Sequence, residues 1–194
     1  MRVAALAGGV GGAKLAHGLA QILPPEQLTI IVNTGDDFEH LGLTICPDVD
    51  TVLYNLAGVN NSKFGWGRAD ETFHVLTETK RLGHDAWFLL GDKDIALHLL
   101  RRQMLDAGMS LTGVILELAR RLGVAHRVLP MSDQPVRTMI LTPEGELLFQ
   151  EYFVHRRTEP VMLGMRLAGI DDARASDAVL SALDAADAVI FCPS

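Results

Sequence analysis

The stretch Val3-Ala4-Ala5-Leu6-Ala7-Gly8-Gly9-Val10-Gly11-Gly12-Ala13-Lys14-Leu15-Ala16 decides how this chain is read. An apolar run of strand length meets four glycines and opens into a helical pattern. Strand, glycine loop and helix N-terminus together aim backbone N–H groups at an anion. The spelling excludes two specialised versions of that loop. A phosphate-binding P-loop needs Gly-Lys followed by Ser or Thr, whereas Lys14 sits between Ala13 and Leu15. A dinucleotide fingerprint read from Gly9 places Lys14 where Gly or Ala is required. What remains is a general anion-binding loop, with Gly8, Gly9, Gly11, Gly12 and Lys14 as its candidate contacts, or a tight turn packing a strand on a helix.

Working outward, residues 13–23 read as a helix with Leu15, Leu19 and Ile22 on one face, stopped by Pro24-Pro25. Leu28–Val32 is a second apolar strand. Strand, helix, strand forms a βαβ unit, so the two strands are expected to be parallel neighbours. The second strand exits into Asn33-Thr34-Gly35-Asp36-Asp37, which should face the same crevice as the glycine loop. Asp50 reads as the N-cap of a helix over 51–57 closed by Gly58. Phe64 and Trp66 lie in a polar loop and are expected to anchor it on the core. Asp70 reads as the cap of a helix ending at Gly83. Residues 84–90 read as a third strand, followed by a helix over 95–107 and another capped by Ser110. Residues 124–130 read as a strand. Residues 137–141 and 147–154, around Thr142-Pro143-Glu144-Gly145-Glu146, carry a β-hairpin signal. A helix over 176–186 and a strand over 188–192 follow. The fold class is α/β: one domain with a doubly wound, mostly parallel sheet and an added β-hairpin.

Length and charge narrow the function. At 194 residues the chain suffices for one domain with a sizeable core. A net charge of −7 argues against a nucleic-acid partner. No apolar run reaches the roughly 18 residues of a membrane span. Lys14 and His17 interrupt the apolar start, so it does not read as a signal peptide. Cys46 and Cys192 show no metal spacing and read as reduced thiols of a cytoplasmic protein. An acidic protein acting on an anionic substrate needs local positive charge. Acids gather at predicted strand exits and a helix start: Asp36 and Asp37, Asp48 and Asp50, Asp92 and Asp94, and Asp133. One or two carboxylates with water and substrate phosphates suffice for Mg²⁺. Capping and turn roles explain each acid singly; as a set around one crevice they fit a metal and phosphate site. Lys14, Lys93 and Arg137 are the candidate cations. Pairs such as Arg101-Arg102 read as solvated faces, and His17 and His98 as structural. No Gly-x-Ser-x-Gly elbow is present, which favours direct in-line transfer.

Six stretches occur in an order that resembles one family: the glycine loop to Leu15; Val32-Asn33-Thr34-Gly35-Asp36-Asp37; Cys46-Pro47-Asp48-Val49-Asp50-Thr51-Val52-Leu53-Tyr54; Leu90-Gly91-Asp92-Lys93-Asp94; Leu129-Pro130-Met131-Ser132-Asp133-Gln134-Pro135-Val136-Arg137-Thr138; and Phe149-Gln150-Glu151-Tyr152-Phe153. Together they resemble the 2-phospho-L-lactate transferases of deazaflavin coenzyme F-420 biosynthesis. The resemblance implies a Rossmann-like fold and a Mg²⁺-dependent reaction. A guanosine diphosphate ester of lactate, or of a related acid such as enolpyruvate, would give its phospho-acid to a ribityl hydroxyl of the deazaflavin Fo, releasing GMP.

By position, Asp50 matches the aspartate that contacts Fo near the metal and is the candidate catalytic residue, orienting the attacking hydroxyl. The resemblance also implies substrate contacts at the glycine loop, Lys14, Asp92, Ser132, Asp133 and Arg137, and metal contacts at Asp36, Asp37, Asp48 and Asp50. Asp50→Asn is expected to leave the fold intact. Leu89 stands where the family usually carries a basic residue that helps bind Fo. The family's chain normally continues with Asn-Pro beyond the position of Pro193-Ser194, so the sequence reads as C-terminally truncated. Partners are expected to be small molecules, with neither nucleic acid nor membrane, and a homodimer is left open. The competing reading is a nucleotide-sugar-binding regulatory protein of the YvcK type, which shares the fold and a similar glycine loop.

Overall fold

A computed structural model describes residues 1–193. Its centre is a four-stranded parallel sheet built from β1 (Val3–Ala7), β2 (Leu28–Val32), β5 (Arg127–Pro130) and β9 (Ala188–Phe191), in the order β5-β2-β1-β9. β1 and β2 pair from Val3 opposite Leu28 to Ala7 opposite Val32, as the βαβ reading expects. Alternation along these strands divides the core into two layers. Val3, Ala5, Ala7, Leu28, Ile30, Val32 and Val128 face α1 (Gly9–Ile22), α2 (Pro47–Leu56) and α5 (Leu111–Arg121). Ala4, Ile31 and Leu129 face α6 (Asp177–Asp184) on the other side. The sheet is therefore covered on both faces, which is why its inner strands are apolar without interruption.

α1 starts at Gly9, inside the glycine run rather than at residue 13, with Gly8 as N-cap and Gly9 at φ 61°. Its buried face is Gly12, Ala13 and Ala16, with Leu19 packed beside them, whereas Ile22 is exposed. Small residues let the helix lie close on the strand: a Cβ on Gly12 would come 3.2 Å from Ala7 Cα. α2 starts at Pro47, where proline is preorganised for the first helical position, so Asp50 lies within the first turn instead of capping it. Gly58, at φ 67°, closes this helix as expected. Ser110 caps α5, its hydroxyl accepting from the Gly113 N–H at 3.2 Å.

Elsewhere the structure departs from the sequence pattern. Residues 84–90 form no strand; Trp87 and Phe88 instead pack on Phe38, with ring centroids 5.6 and 4.9 Å away. Phe38 belongs to a short hairpin, β3 (Phe38–His40) and β4 (Leu43–Ile45), too brief to show as a period in sequence. The expected hairpin is β6 (Arg137–Thr142) and β7 (Gly145–Leu148), and β8 (Gly164–Ala168) adds a third antiparallel strand that the pattern did not show. The second arm ends at Leu148; Glu151–His155 is a π-helix. The helix expected from Asp70 is α3 (His74–Arg81), and Asp70 itself sits at φ 54° outside it.

α4 (Asp92–Asp106) carries Asp94, His98 and Arg101 on one stripe, at spacings of four and three residues. α2 presents Asp50 and Tyr54 in the same way. The two stripes meet across a buried polar seam. Arg101, read from sequence as solvated, is fully buried. Its guanidinium engages both Asp50 oxygens, Nη1 to Oδ2 at 3.1 Å and Nη2 to Oδ1, and Nη1 also donates to the Thr44 carbonyl at 3.1 Å. Nη1 lies 2.9 Å from His98 Nδ1. Because a guanidinium only donates, His98 Nδ1 accepts and Nε2 carries the imidazole proton.

Two stability predictions follow from this packing. Gly12→Val forces a branched side chain against the β1 backbone and should cost about 1–3 kcal/mol, whereas Gly18→Ala, with open space around it, should gain about 0.5–1 kcal/mol; urea unfolding of both measures the contrast. Arg101→Met leaves the buried Asp50 unpaired and should cost about 3–5 kcal/mol in the same assay. Asp50→Asn removes the charge that faces the buried Arg101 and should lower stability in the same assay, even where the fold is kept.

Candidate active site

A cavity of about 790 Å³ opens at the exits of β1, β2 and β5. That is the end of a parallel sheet at which ligands bind, and the glycine loop and the second strand's exit meet there as the sequence pattern requires. Gly8, Gly9 and Val10 bring the α1 N-terminus to the cavity wall. This terminus has no side-chain cap from Gly8 and no acid in its own first turn. Asn33, Asp36 and Asp48 line the wall beside it.

The acids here are electrostatically unsettled. Burial pushes the Asp36 carboxyl up to about 6, the nearby Asp48 charge adds to this, and a hydrogen bond from Thr138 offsets part of it. Burial also raises Asp48, while the Asn33 amide, 2.9 Å from Oδ2, and the Gly9 N–H stabilise its carboxylate. Asp37 is buried and raised to about 8 by desolvation; it lies against Cys46, and its Oδ1 has no hydrogen-bond partner. Among the described residues no three His, Cys, Asp or Glu side chains converge as a metal cage. Asp36 and Asp48 are two carboxylates on one cavity wall, the number that Mg²⁺ takes alongside phosphate and water. A divalent cation between them would relieve their mutual repulsion. Asp37 does not line the cavity, and Asp50 already binds Arg101, so neither joins that pair.

Asp50, Tyr54, Asp94 and His98, the polar seam between α2 and α4, also line the cavity. Asp94 is 8% exposed and Tyr54 2%. They lie side by side and influence each other's ionisation through a weak mutual hydrogen bond, and beyond that contact neither the Tyr54 hydroxyl nor Asp94 Oδ1 has a partner within the protein. Burial raises Asp94 to about 6, helped by the charges of Asp50 and Glu71, with Tyr54 and the Gly91 N–H working the other way. Burial lowers His98 to about 4, so its imidazole is neutral at pH 7. Arg68 lies over the Tyr54 ring, 5.5 Å from its centroid.

The remaining wall is apolar. Phe88, Leu89 and Leu90 come from the segment before α4, and Phe149, Phe153 and Val154 from the π-helical region. Phe149 and Phe153 stack at 5.5 Å with an 8° interplanar angle. Leu89 therefore offers hydrocarbon surface where the family resemblance expects a cation. Trp66 reaches the rim and stacks on Phe64 at 5.8 Å. With exposures of 43% and 65%, these rings do not anchor their loop on the core but form a platform at the cavity mouth.

Of the residues singled out from sequence, Gly8, Gly9, Asp36, Asp48 and Asp50 share the cavity. Asp94, Leu89, Trp66 and His98, also noted in the sequence, line it as well. The remaining candidates lie off its wall, in positions with packing or bonding explanations. Gly11 packs against Pro193, where β9 exits, and Gly12 against β1. Lys14 is exposed on α1. Asp92 accepts from the Thr72 hydroxyl and the His74 and Val75 N–H groups, which ties α3 to α4. Ser132 bonds to Gln134 and to the Arg174 carbonyl, and Asp133 accepts from the Thr112 N–H at 2.6 Å. Arg137 donates to the Thr34 and Val136 carbonyls. Sequence reasoning missed Tyr54 and Arg101 and read His98 as structural. The signal was present as the spacing of Asp94, His98 and Arg101 along one helix.

Comparisons with known proteins place this arrangement. A phosphoenolpyruvate transferase of Streptomyces griseus is 44% identical over the whole chain, and a 2-phospho-L-lactate transferase of Methanosarcina barkeri is 42% identical over 96% of it. The chain spans 63% and 60% of the lengths of these relatives. A crystal structure of a upf0052 family member from Bacillus halodurans superposes with a TM-score of 0.62, covering 99% of this chain and 58% of that one; at 20% identity it shows a shared fold. A family model described as 2-phospho-L-lactate transferase CofD matches residues 3–194. The chain belongs to the 2-phospho-L-lactate transferase CofD family.

Proposed function

We propose that the protein transfers a phospho-lactyl or phosphoenolpyruvyl-type group from a guanosine diphosphate ester to a ribityl hydroxyl of the deazaflavin Fo, with GMP leaving. The observation that carries this reading is the make-up of the cavity at the strand exits. Its wall combines a helix N-terminus that already meets the Asp48 carboxylate, and a second carboxylate in Asp36, with an aromatic and aliphatic surface. The first set suits a diphosphate with its metal; the second suits a flat ring system.

In this reading the α1 N-terminus orients the donor phosphates through its backbone N–H groups. Asp36 and Asp48 would hold Mg²⁺, which supplies charge neutralisation at the reacting phosphorus. Phe88, Leu89, Phe149 and Phe153 take the ring, and the Phe64–Trp66 platform covers the mouth. Asp50 orients the acceptor within the site while Arg101 fixes its carboxylate plane. Water exclusion by the apolar wall protects the donor from hydrolysis.

Titration of the full-length protein with Fo, followed by fluorescence anisotropy, should show binding, with no competition from UDP-sugars. Saturation by a UDP-sugar without Fo binding would overturn this reading in favour of the nucleotide-sugar regulator. Because Asp50→Asn alone unpairs Arg101, its role is tested in the paired variant Asp50→Asn/Arg101→Gln, whose amides can bond each other. That variant should fold and lose about a hundredfold or more of the transfer rate. Chelation of Mg²⁺ should stop transfer by the unmodified protein.

A further inference from the structure

Five polar side chains meet where α2 faces α4, and Arg101 neutralises only one of the two carboxylates among them. Both Asp50 oxygens accept from a guanidinium that keeps its protons, so a proton arriving on Asp50 would break that pair. Asp94 has no such partner. It lines the cavity one helical turn before His98, it is more than nine-tenths buried, and its Oδ1 is unbonded. The Tyr54 hydroxyl beside it is 2% exposed and has no partner other than this carboxyl. The Gly91 N–H at the start of α4 reaches the Asp94 carboxylate as a capping contact, and Glu71 receives the Lys93 and Asp94 N–H groups at 2.9 and 3.0 Å, yet Oδ1 is left over on the cavity wall. Two buried polar groups on one cavity wall with only a weak contact to each other are under-satisfied, and a ligand that hydrogen-bonds them offsets that cost.

We propose that Asp94 is the catalytic base, taking the proton of the attacking acceptor hydroxyl, while Tyr54 holds that hydroxyl or its neighbour in place. The assignment rests on the transfer reading above. The hydroxyl oxygen bonds to the phosphorus bearing the three-carbon acid. The bond from that phosphorus to the oxygen shared with GMP breaks, and its electron pair leaves with GMP. The proton passes to Asp94 and then to water. The groups facing Asp94 are Asp50 and Tyr54 from α2, His98 from its own helix and Glu71 from the preceding segment. His98 is neutral and Arg101 is committed to Asp50, so the carboxylate keeps a basicity suited to neutral pH.

The test is Asp94→Asn in the full-length protein, with Tyr54→Phe beside it. The unmodified protein should show kcat/KM rising with pH through about 6, the value to which burial raises Asp94. Asp94→Asn should lower kcat by about 10²–10⁴-fold, remove that acid limb and leave Fo affinity within about twofold. It should melt at or above the parent at pH 8. Ionising a carboxyl whose folded pKa exceeds its unfolded one weakens the fold, and Asn removes that charge. Tyr54→Phe should raise KM for Fo more than it lowers kcat. An Asn variant with near-parental kcat and an unchanged acid limb would overturn the proposal. So would one that melts well below the parent, which would make Asp94 structural. An unmodified protein that binds Fo but transfers nothing would instead remove the reaction, and the base with it.

Discussion

The ion pair between Asp50 and Arg101 is the constraint on which the site depends. It joins the helix that follows β4 to the helix that bounds the far side of the cavity. A buried guanidinium needs partners for its donors; Asp50, Thr44 and His98 engage Nη1 and Asp50 engages Nη2, while Nε is left without one. The pair thereby sets the tautomer of His98, the plane of Asp50 and the distance between α2 and α4. It also settles a division of labour among the aspartates. One is held as a fixed acceptor by a partner it cannot lose, and another close by is left unpaired. Two like groups in unlike surroundings are how one fold assigns different tasks to chemically identical side chains.

The parallel sheet was legible because its signals are local. Unbroken apolar runs, a glycine cluster and Pro24-Pro25 identify β1, α1 and β2 before any tertiary contact is known. The site was legible only in outline. Asp36 falls at the exit of a strand readable from sequence, and Asp48 and Asp50 at the start of a helix that the pattern also shows. Arg101 was not legible in that way: an Arg-Arg pair in a helix reads as surface until α2 is known to bring a carboxylate opposite one of them. The spacing of Asp94, His98 and Arg101 marks a stripe, but not what that stripe faces. Residues 84–90 misled for the opposite reason. Their apolar character is real, but it serves the aromatic packing around Phe38 and the cavity wall rather than a sheet. The same holds for Phe149 and Phe153, whose aromatic spacing belongs to a π-helical turn and not to the arm of a hairpin.

The glycines of the first loop divide in a way that composition could not show. Gly8 and Gly9 meet the cavity, whereas Gly11 and Gly12 let the helix settle on Pro193 and on β1. Half of an apparent ligand loop is thus packing. The cavity-facing half reaches the strand exits because the other half lets the helix lie close to β1. Asp48 reaches the same terminus from α2, so the helix dipole, the Asn33 amide and a second acid converge within one turn of chain.

The Phe64–Trp66 stack carries an optical consequence. Only two tryptophans occur in the chain, and they lie in opposite settings. Trp87 is partly covered by Phe38, Phe88 and the ring of His155, which stacks on it with a 3° interplanar angle. Trp66 stands half open to solvent at the cavity mouth. Collisional quenchers therefore reach the Trp66 indole more readily than that of Trp87. Indole emission thereby gives a spectroscopic handle on the entrance of the cavity, with the more covered ring for comparison.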